Sequence, residues 1–365
     1  MPGEVAAGRS GVQAEDTTAF RICTLTWRSR GVAGYGRYDT DRNYLRAILA
    51  AMFSRRLFLP AFALFCIAVA LGAAAAPAMG ADPDRKVLAH DGIERGYVVR
   101  MPAGAPVSAR LPLVLVLHGG GGNAAHAERM TGFTEKARQE GFIVVYPEGT
   151  GRFKGRLLTW NAGHCCGYAM EHGVDDAGFI AALIDRLVAD YPVDTGRIFA
   201  TGMSNGGMMA HRLGIALSDR LAAIAPVVAT VFGDEARPAR PVSALMINGR
   251  LDRSVPHQGG APGGRFPGAW DGVPARPALD QARFWADADA CAPVPRKEER
   301  AAYVQWRHAC PAGLDVELLL VADSGHAWPG GRAGTPRGDP PGSALNATDR
   351  IWSFFAAHPK VSAPR

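Results

Sequence analysis

The sequence predicts an α/β layered domain with a mostly parallel central sheet and helices on both faces, and three observations carry that expectation. Short apolar runs recur at 112–117, 142–146, 198–201, 223–228, 244–247 and 316–321, of the length and unbroken apolarity that suits a strand buried on both faces. Between them, 127–139, 174–191, 205–217, 278–288 and 344–357 carry apolar residues at helical spacing. The third observation is a corner: the run at 198–201 enters Gly202-Met203-Ser204-Asn205-Gly206-Gly207 and a helical pattern follows with no intervening loop. Strand and helix alternating in this way build a sheet covered by helices.

Taken in order, the chain opens on a leader. Residues 1–51 show no apolar periodicity and are expected to be an over-extended start or a disordered extension. Residues 52–80 have the anatomy of an export signal: Arg55-Arg56, an apolar stretch, then small residues around Ala76, Pro77 and Ala78. Ser54 to Leu59 resembles the twin-arginine export consensus, with Pro60 standing where a lysine is usual. The stretch 57–80 is long enough to span a bilayer, but it fades into Ala, Gly and Pro with no charged stop, so cleavage is expected and no stable membrane association. Residues 81–365 then form a single domain in the periplasm or outside the cell. Nine basic and five acidic residues lie in 1–80, leaving 31 basic against 29 acidic beyond it, so the formal +6 of the 365 residues belongs mostly to the leader. A near-neutral body gives no footprint for nucleic acid, and no motif singles out a protein partner.

Within the body, the run at 112–117 leads into LHGGGGN at 117–123. Helical spacing in 174–191 is clearest at Phe179, Leu183, Leu187 and Tyr191, with Asp175 and Asp176 placed to cap the helix start. At the corner, Gly202 and Gly206 let strand and helix approach closely, which leaves Ser204 strained and exposed at the rim of the sheet. The run at 244–247 is followed by Asp252, and the one at 316–321 by His326. Between them, 255–276 is an irregular Gly- and Pro-rich insertion carrying Phe266 and Trp270, of a length that is usually functional or disordered. Beyond the leader, which holds Cys23 and Cys66, four cysteines remain, an even number that in an exported chain favours disulfides over metal. Cys291 with Cys310 is the first choice, and adjacent Cys165 and Cys166 could form a vicinal bridge or stay reduced.

These pieces suit acyl transfer. A serine on a strand-to-helix elbow is a nucleophile once a histidine takes its proton, and a buried carboxylate holds that imidazole in the right tautomer. Ser204, Asp252 and His326 stand in that chain order; Asp323 is a rival acid, lying close to His326 in sequence. Attack on a carbonyl makes an oxyanion, which the N–H of Gly119 or Gly120 and the N–H of Asn205 could receive. The glycine loop lacks the Lys-Ser/Thr ending of a phosphate cradle.

Together LHGGGGN, WNAGHCCG, GVDDAGFI, GMSNGGMMAHRL, INGRLDRSVP and GHAWPGG resemble the secreted esterase family that unites poly(3-hydroxybutyrate) depolymerase-like enzymes with feruloyl and acetylxylan esterases. The resemblance covers 84–358 and implies an α/β-hydrolase fold, with Ser204 as nucleophile, Asp252 as acid and His326 as base; two-step acyl transfer by these residues requires no cofactor and no metal. It also implies that Trp160 and Trp328 help shape the acyl site, against core packing as the alternative. The expected substrate is a small-molecule or polymeric ester, foremost a 3-hydroxyalkanoate oligomer or polymer, with feruloyl or acetylxylan esters as the alternative. No polymer-binding domain is visible. Two other readings are a serine peptidase of similar fold and an exported binding protein that kept the fold without the chemistry.

Overall fold

The computed structural model describes residues 84–104, 109–261, 263, 269–334 and 338–360. The expectations for 1–51 and 52–80, with Cys23 and Cys66, and the position of Phe266 lie outside the described residues. Residues Ala78–Arg365 form one compact unit.

Each apolar run of the sequence is a strand, and together with four strands at the sheet margins they make one sheet. Its strands are β1 (Arg85–His90), β2 (Ile93–Arg100), β3 (Leu111–Leu117), β4 (Ile143–Pro147), β5 (Val193–Met203), β6 (Ala223–Val227), β7 (Ser243–Gly249), β8 (Arg296–Glu299), β9 (Tyr303–His308) and β10 (Val316–Val321). They lie in the order β1-β2-β4-β3-β5-β6-β7-β10-β9-β8. The six central strands, β4 through β10, are mutually parallel, and antiparallel pairs flank them on both sides. The α/β-hydrolase arrangement, a mostly parallel sheet between helical layers, is therefore present.

Side-chain alternation along the strands sorts the interior into two cores. Leu113, Leu115 and Leu117 of β3 face one core, shared with α4 (Asp176–Asp190), α5 (Asn205–Ala216) and α6 (Ala278–Ala288). Val114 and Val116 face the other, shared with α1 (Ala124–Thr131), α2 (Phe133–Glu140) and α7 (Ala347–Ala357). The short α3 (Gly167–Glu171) completes the helices among the described residues. The helix expected over 127–139 is two helices, because Gly132 at φ 70° ends α1 and starts α2 in the left-handed conformation that glycine adopts freely. Asp175 caps α4 through the Gly178 N–H, and Asp176 turns inward to Arg95. No helix among the described residues is long and apolar enough to cross a membrane.

Cys291, just beyond α6, is bonded to Cys310, just beyond β9, which is the pairing the sequence favours. Cys165 and Cys166 are joined by a cis peptide and bring their sulfurs together.

The topology determines where a site can form. From β3 the chain crosses to β4 on one side and to β5 on the other, so the direction of winding reverses between β3 and β5. In parallel α/β sheets, ligands bind beyond the carboxyl ends of strands at such a reversal. Gly119 and Gly120 follow β3, Ser204 follows β5, Asp252 follows β7 and His326 follows β10.

Candidate active site

Ser204 sits between β5 and α5 at φ 57° and ψ −123°, a conformation that costs a non-glycine residue about 1–3 kcal/mol and persists only where its surroundings enforce it. The Ser204 N–H bonds Val227 O at 2.9 Å. A Cβ on Gly206 would collide with the carbonyls of Leu117 and His118, and one on Gly202 would lie 2.6 Å from the Gly206 carbonyl. The glycines flanking the serine are thus where β3, β5 and α5 meet backbone to backbone.

Ser204 Oγ lies 2.9 Å from His326 Nε2, and His326 Nδ1 lies 2.8 Å from Asp252 Oδ2. Asp252 is buried, and its other oxygen accepts the N–H groups of Ser254 at 2.8 Å and Val255 at 2.9 Å. A carboxylate so engaged accepts the Nδ1–H of the imidazole, which leaves Nε2 with a lone pair toward the serine hydroxyl. Of the two acids weighed from sequence, Asp323 is placed elsewhere: its Oδ2 accepts the N–H groups of Ser343 and Ala344. His326 is anchored a second time through its backbone N–H, which donates to Asp339 at 2.7 Å.

Gly119 packs against Ser204 and Gly120 against Asn205. A Cβ on Gly119 would stand 3.7 Å from Ser204 Cβ, and one on Gly120 would stand 3.7 Å from Asn205 Cβ. The next two N–H groups of the loop are committed inward, Gly121 to Leu158 O at 2.8 Å and Gly122 to Gly119 O at 3.0 Å. Asn205 opens α5, where first-turn N–H groups have no helical partner and the helix dipole favours negative charge. Gly119, Gly120 and Asn205 therefore lie beside Ser204.

Two buried side chains that sequence reasoning passed over hold this arrangement. His118 donates from Nδ1 to Gly119 O at 2.8 Å and accepts the Gly149 N–H at Nε2, 3.0 Å away. Burial holds its pKa down to about 4, so it is a neutral brace for the glycine loop. The Asn205 side chain takes both polar groups of the Trp160 backbone, at 2.7 Å and 2.9 Å. A histidine before a glycine run and an asparagine after the serine were both visible as letters, but their partners come from distant segments and leave no local pattern.

Trp160 and Trp328 require correction. Both are fully buried. The Trp160 indole donates to His118 O at 2.9 Å and lies beside Arg95, whose guanidinium also covers Phe179 at 3.8 Å. Trp328 donates to Thr348 Oγ1 at 2.9 Å and packs edge-on to Phe133. Large apolar rings with a satisfied N–H are core material, and neither offers surface to a ligand. Among the described residues, His90, Asp91 and Asp175 bring ligand-type atoms together, at the surface and with Asp175 already capping α4.

A serine, a histidine and a buried carboxylate that follow β5, β10 and β7 of one parallel sheet, beside a glycine loop, define an α/β-hydrolase with an esterase-type site. The chain belongs to the esterase family described as Esterase PHB depolymerase, whose model matches residues 95–260. NocK of Nocardia uniformis subsp. tsuyamanensis is 31% identical over 66% of this chain and 72% of its own length. Feruloyl esterase B of Piromyces equi is 28% identical over 66% of this chain, and the match spans 44% of that relative. Among solved structures, the acetyl xylan esterase from Aspergillus awamori shares the fold at a TM-score of 0.50 and 14% identity, covering 72% of this chain and 94% of that one.

Proposed function

We propose that the protein is an exported serine carboxylic ester hydrolase that acts on 3-hydroxyalkanoate oligomers or polymers through an acyl-enzyme on Ser204. The observation that carries this reading is the continuous path from Ser204 Oγ through His326 to Asp252, at 2.9 Å and 2.8 Å, in front of the glycine loop.

In the first step His326 Nε2 takes the serine proton as Oγ attacks the ester carbonyl, and Asp252 stabilises the imidazolium. The N–H groups of Asn205 and of Gly119 or Gly120 receive the oxyanion, and donors held ready in this way are usually the largest single source of rate. His326 then returns the proton to the departing alcohol. Water, activated by the same imidazole, releases the hydroxy acid and restores Ser204.

Export is supported by the Cys291–Cys310 disulfide, a bond that persists in oxidising compartments. The family match over 95–260 favours the polyester reading. The likeness to a feruloyl esterase over 66% of the chain favours a second reading, hydrolysis of plant cell-wall esters. The test compares kcat/KM on soluble 3-hydroxybutyrate oligomers and on methyl ferulate, with Ser204→Ala as blank. A tenfold preference for the oligomers, about 1.4 kcal/mol of transition-state discrimination, supports the first reading. The same preference for ferulate replaces it with the second.

A further inference from the structure

Beside the site lies a histidine that the chemistry above does not use. His164 Nδ1 is 2.6 Å from Asp271 Oδ2, and its Nε2 is 2.8 Å from Asp234 Oδ2. A neutral imidazole has one N–H, and its other nitrogen would turn a lone pair toward an acceptor-only carboxylate. Contacts on both nitrogens therefore call for the imidazolium.

The two carboxylates come from separate segments, so the ring ties three stretches of chain together. The Asp271 N–H also reaches His164 O at 3.3 Å, and Cys165 forms a β-bridge with Trp270. The Phe232 ring meets both the His164 ring, at 5.1 Å, and the Trp270 ring, at 5.7 Å, edge to face. On the inner side, Cys165 Sγ lies 3.8 Å from Asn205 Nδ2, and Asn205 also holds the Trp160 backbone. A chain of contacts thus runs from His164 to the residue that follows the nucleophile. Trp270 is only partly buried whereas Phe232 is buried, so Trp270 is the ring this pair presents to solvent, with Phe232 packed against it.

We propose that His164, as an imidazolium clasped between Asp234 and Asp271, is a positioning residue that holds Trp270, backed by the buried Phe232, in place as the aromatic wall on which the substrate rests. The wall holds while His164 is charged and both aspartates are ionised, and it loosens as pH climbs through the raised His164 pKa. The charged groups around the ring are the two aspartates, Glu235, which accepts the Phe232 and Gly233 N–H groups, Arg276 against Gly233, and Arg212 against Gly163. The aspartates raise the His164 pKa above its ordinary 6.5. A histidine raised on folding contributes its stabilisation below the unfolded value and loses it as pH climbs through the folded one.

The substrate side of this inference rests on the ester-hydrolase reading; the clasp does not. The experiment compares the full chain with His164→Gln and His164→Arg, measuring amide hydrogen exchange over 230–235 and 269–273 at matched pH, and kinetics on p-nitrophenyl acetate and on a 3-hydroxybutyrate oligomer. At pH 6, His164→Gln is expected to exchange faster in both segments than the parent. Its KM for the oligomer should rise several-fold, with kcat on the acetate nearly unchanged. At pH 9, His164→Arg, whose charge persists, should exchange more slowly than the parent. Equal exchange in parent and His164→Gln at pH 6, or an unchanged oligomer KM, overturns the proposal. If the parent hydrolyses neither ester while the exchange pattern holds, the ester-hydrolase reading falls and the clasp stands.

Discussion

At the scale of single residues, Asp252 and Asp323 occupy environments suited to different roles. Asp252 is buried, faces His326, and has its second oxygen filled by two backbone N–H groups. Changing it to asparagine puts an amide where the carboxylate fixed the tautomer, and in triads of this kind that lowers kcat by about 10⁴. Asp323→Asn removes only a loop contact to Ser343 and Ala344 and should cost about 1 kcal/mol of stability with kcat intact. Steady-state kinetics on both variants checks the ranking, and a larger kcat loss in Asp323→Asn would refute it. Ser204→Ala should abolish turnover by orders of magnitude while leaving far-UV circular dichroism unchanged; retained activity would remove Ser204 from the mechanism. That Ser204, Asp252 and His326 meet was legible because each stands within five residues of the end of an apolar run, where position alone restricts its surroundings. The roles of His118 and the Asn205 side chain were not, since their bonds reach Gly149 and Trp160 across other segments. The tryptophans misled for a related reason: closeness in sequence to a motif says nothing about which side of it a ring packs.

At the scale of elements, the central strands could be read because burial on both faces requires unbroken apolarity. β1, with exposed and half-exposed positions throughout, and β8, which reads RKEE, carry no such signal. Antiparallel margins have one or both faces in water and need no apolar run. The elbow shows the opposite limit, where a single missing Cβ decides the geometry. Gly206→Ala would press a methyl into the Leu117 and His118 carbonyls, and neither backbone can retreat without moving the glycine loop. A loss of about 1–3 kcal/mol is expected, with a larger relative loss of kcat; urea unfolding together with kinetics measures both. The Cys291–Cys310 bond joins the end of α6 to the end of β9 across a separation of 19 residues. Replacing both cysteines by serine should cost about 3 kcal/mol, and an unchanged urea midpoint would show that the surrounding contacts hold this margin unaided.

At the scale of the whole molecule, buried titratable groups set how stability varies with pH, and they pull in opposite directions. His118 and His211 are held at about 4 by burial, against an ordinary value near 6.5. Each is neutral in the fold and gains a proton on unfolding, so its contribution is complete above pH 6.5 and is lost as pH falls toward 4. Asp289 acts the other way. It is buried, one oxygen accepts the Val242 N–H, and the other finds no donor among the described residues. Desolvation therefore raises its pKa from 3.8 to about 7. The folded chain keeps a proton there that the unfolded chain releases, so Asp289 favours folding in acid and opposes it increasingly as pH climbs from 4 to 7. Asp289→Asn keeps an acceptor for Val242 and cannot ionise. Its stability relative to the parent should therefore rise with pH across that interval, by up to about 4 kcal/mol, and level off above pH 7. The comparison removes every other titrating group, because each is common to both chains. Urea denaturation of the two proteins at half-unit steps from pH 4 to 8 measures the difference directly. Parallel stability curves would mean that the Asp289 carboxylate is ionised in the fold at neutral pH, its second oxygen having found a partner.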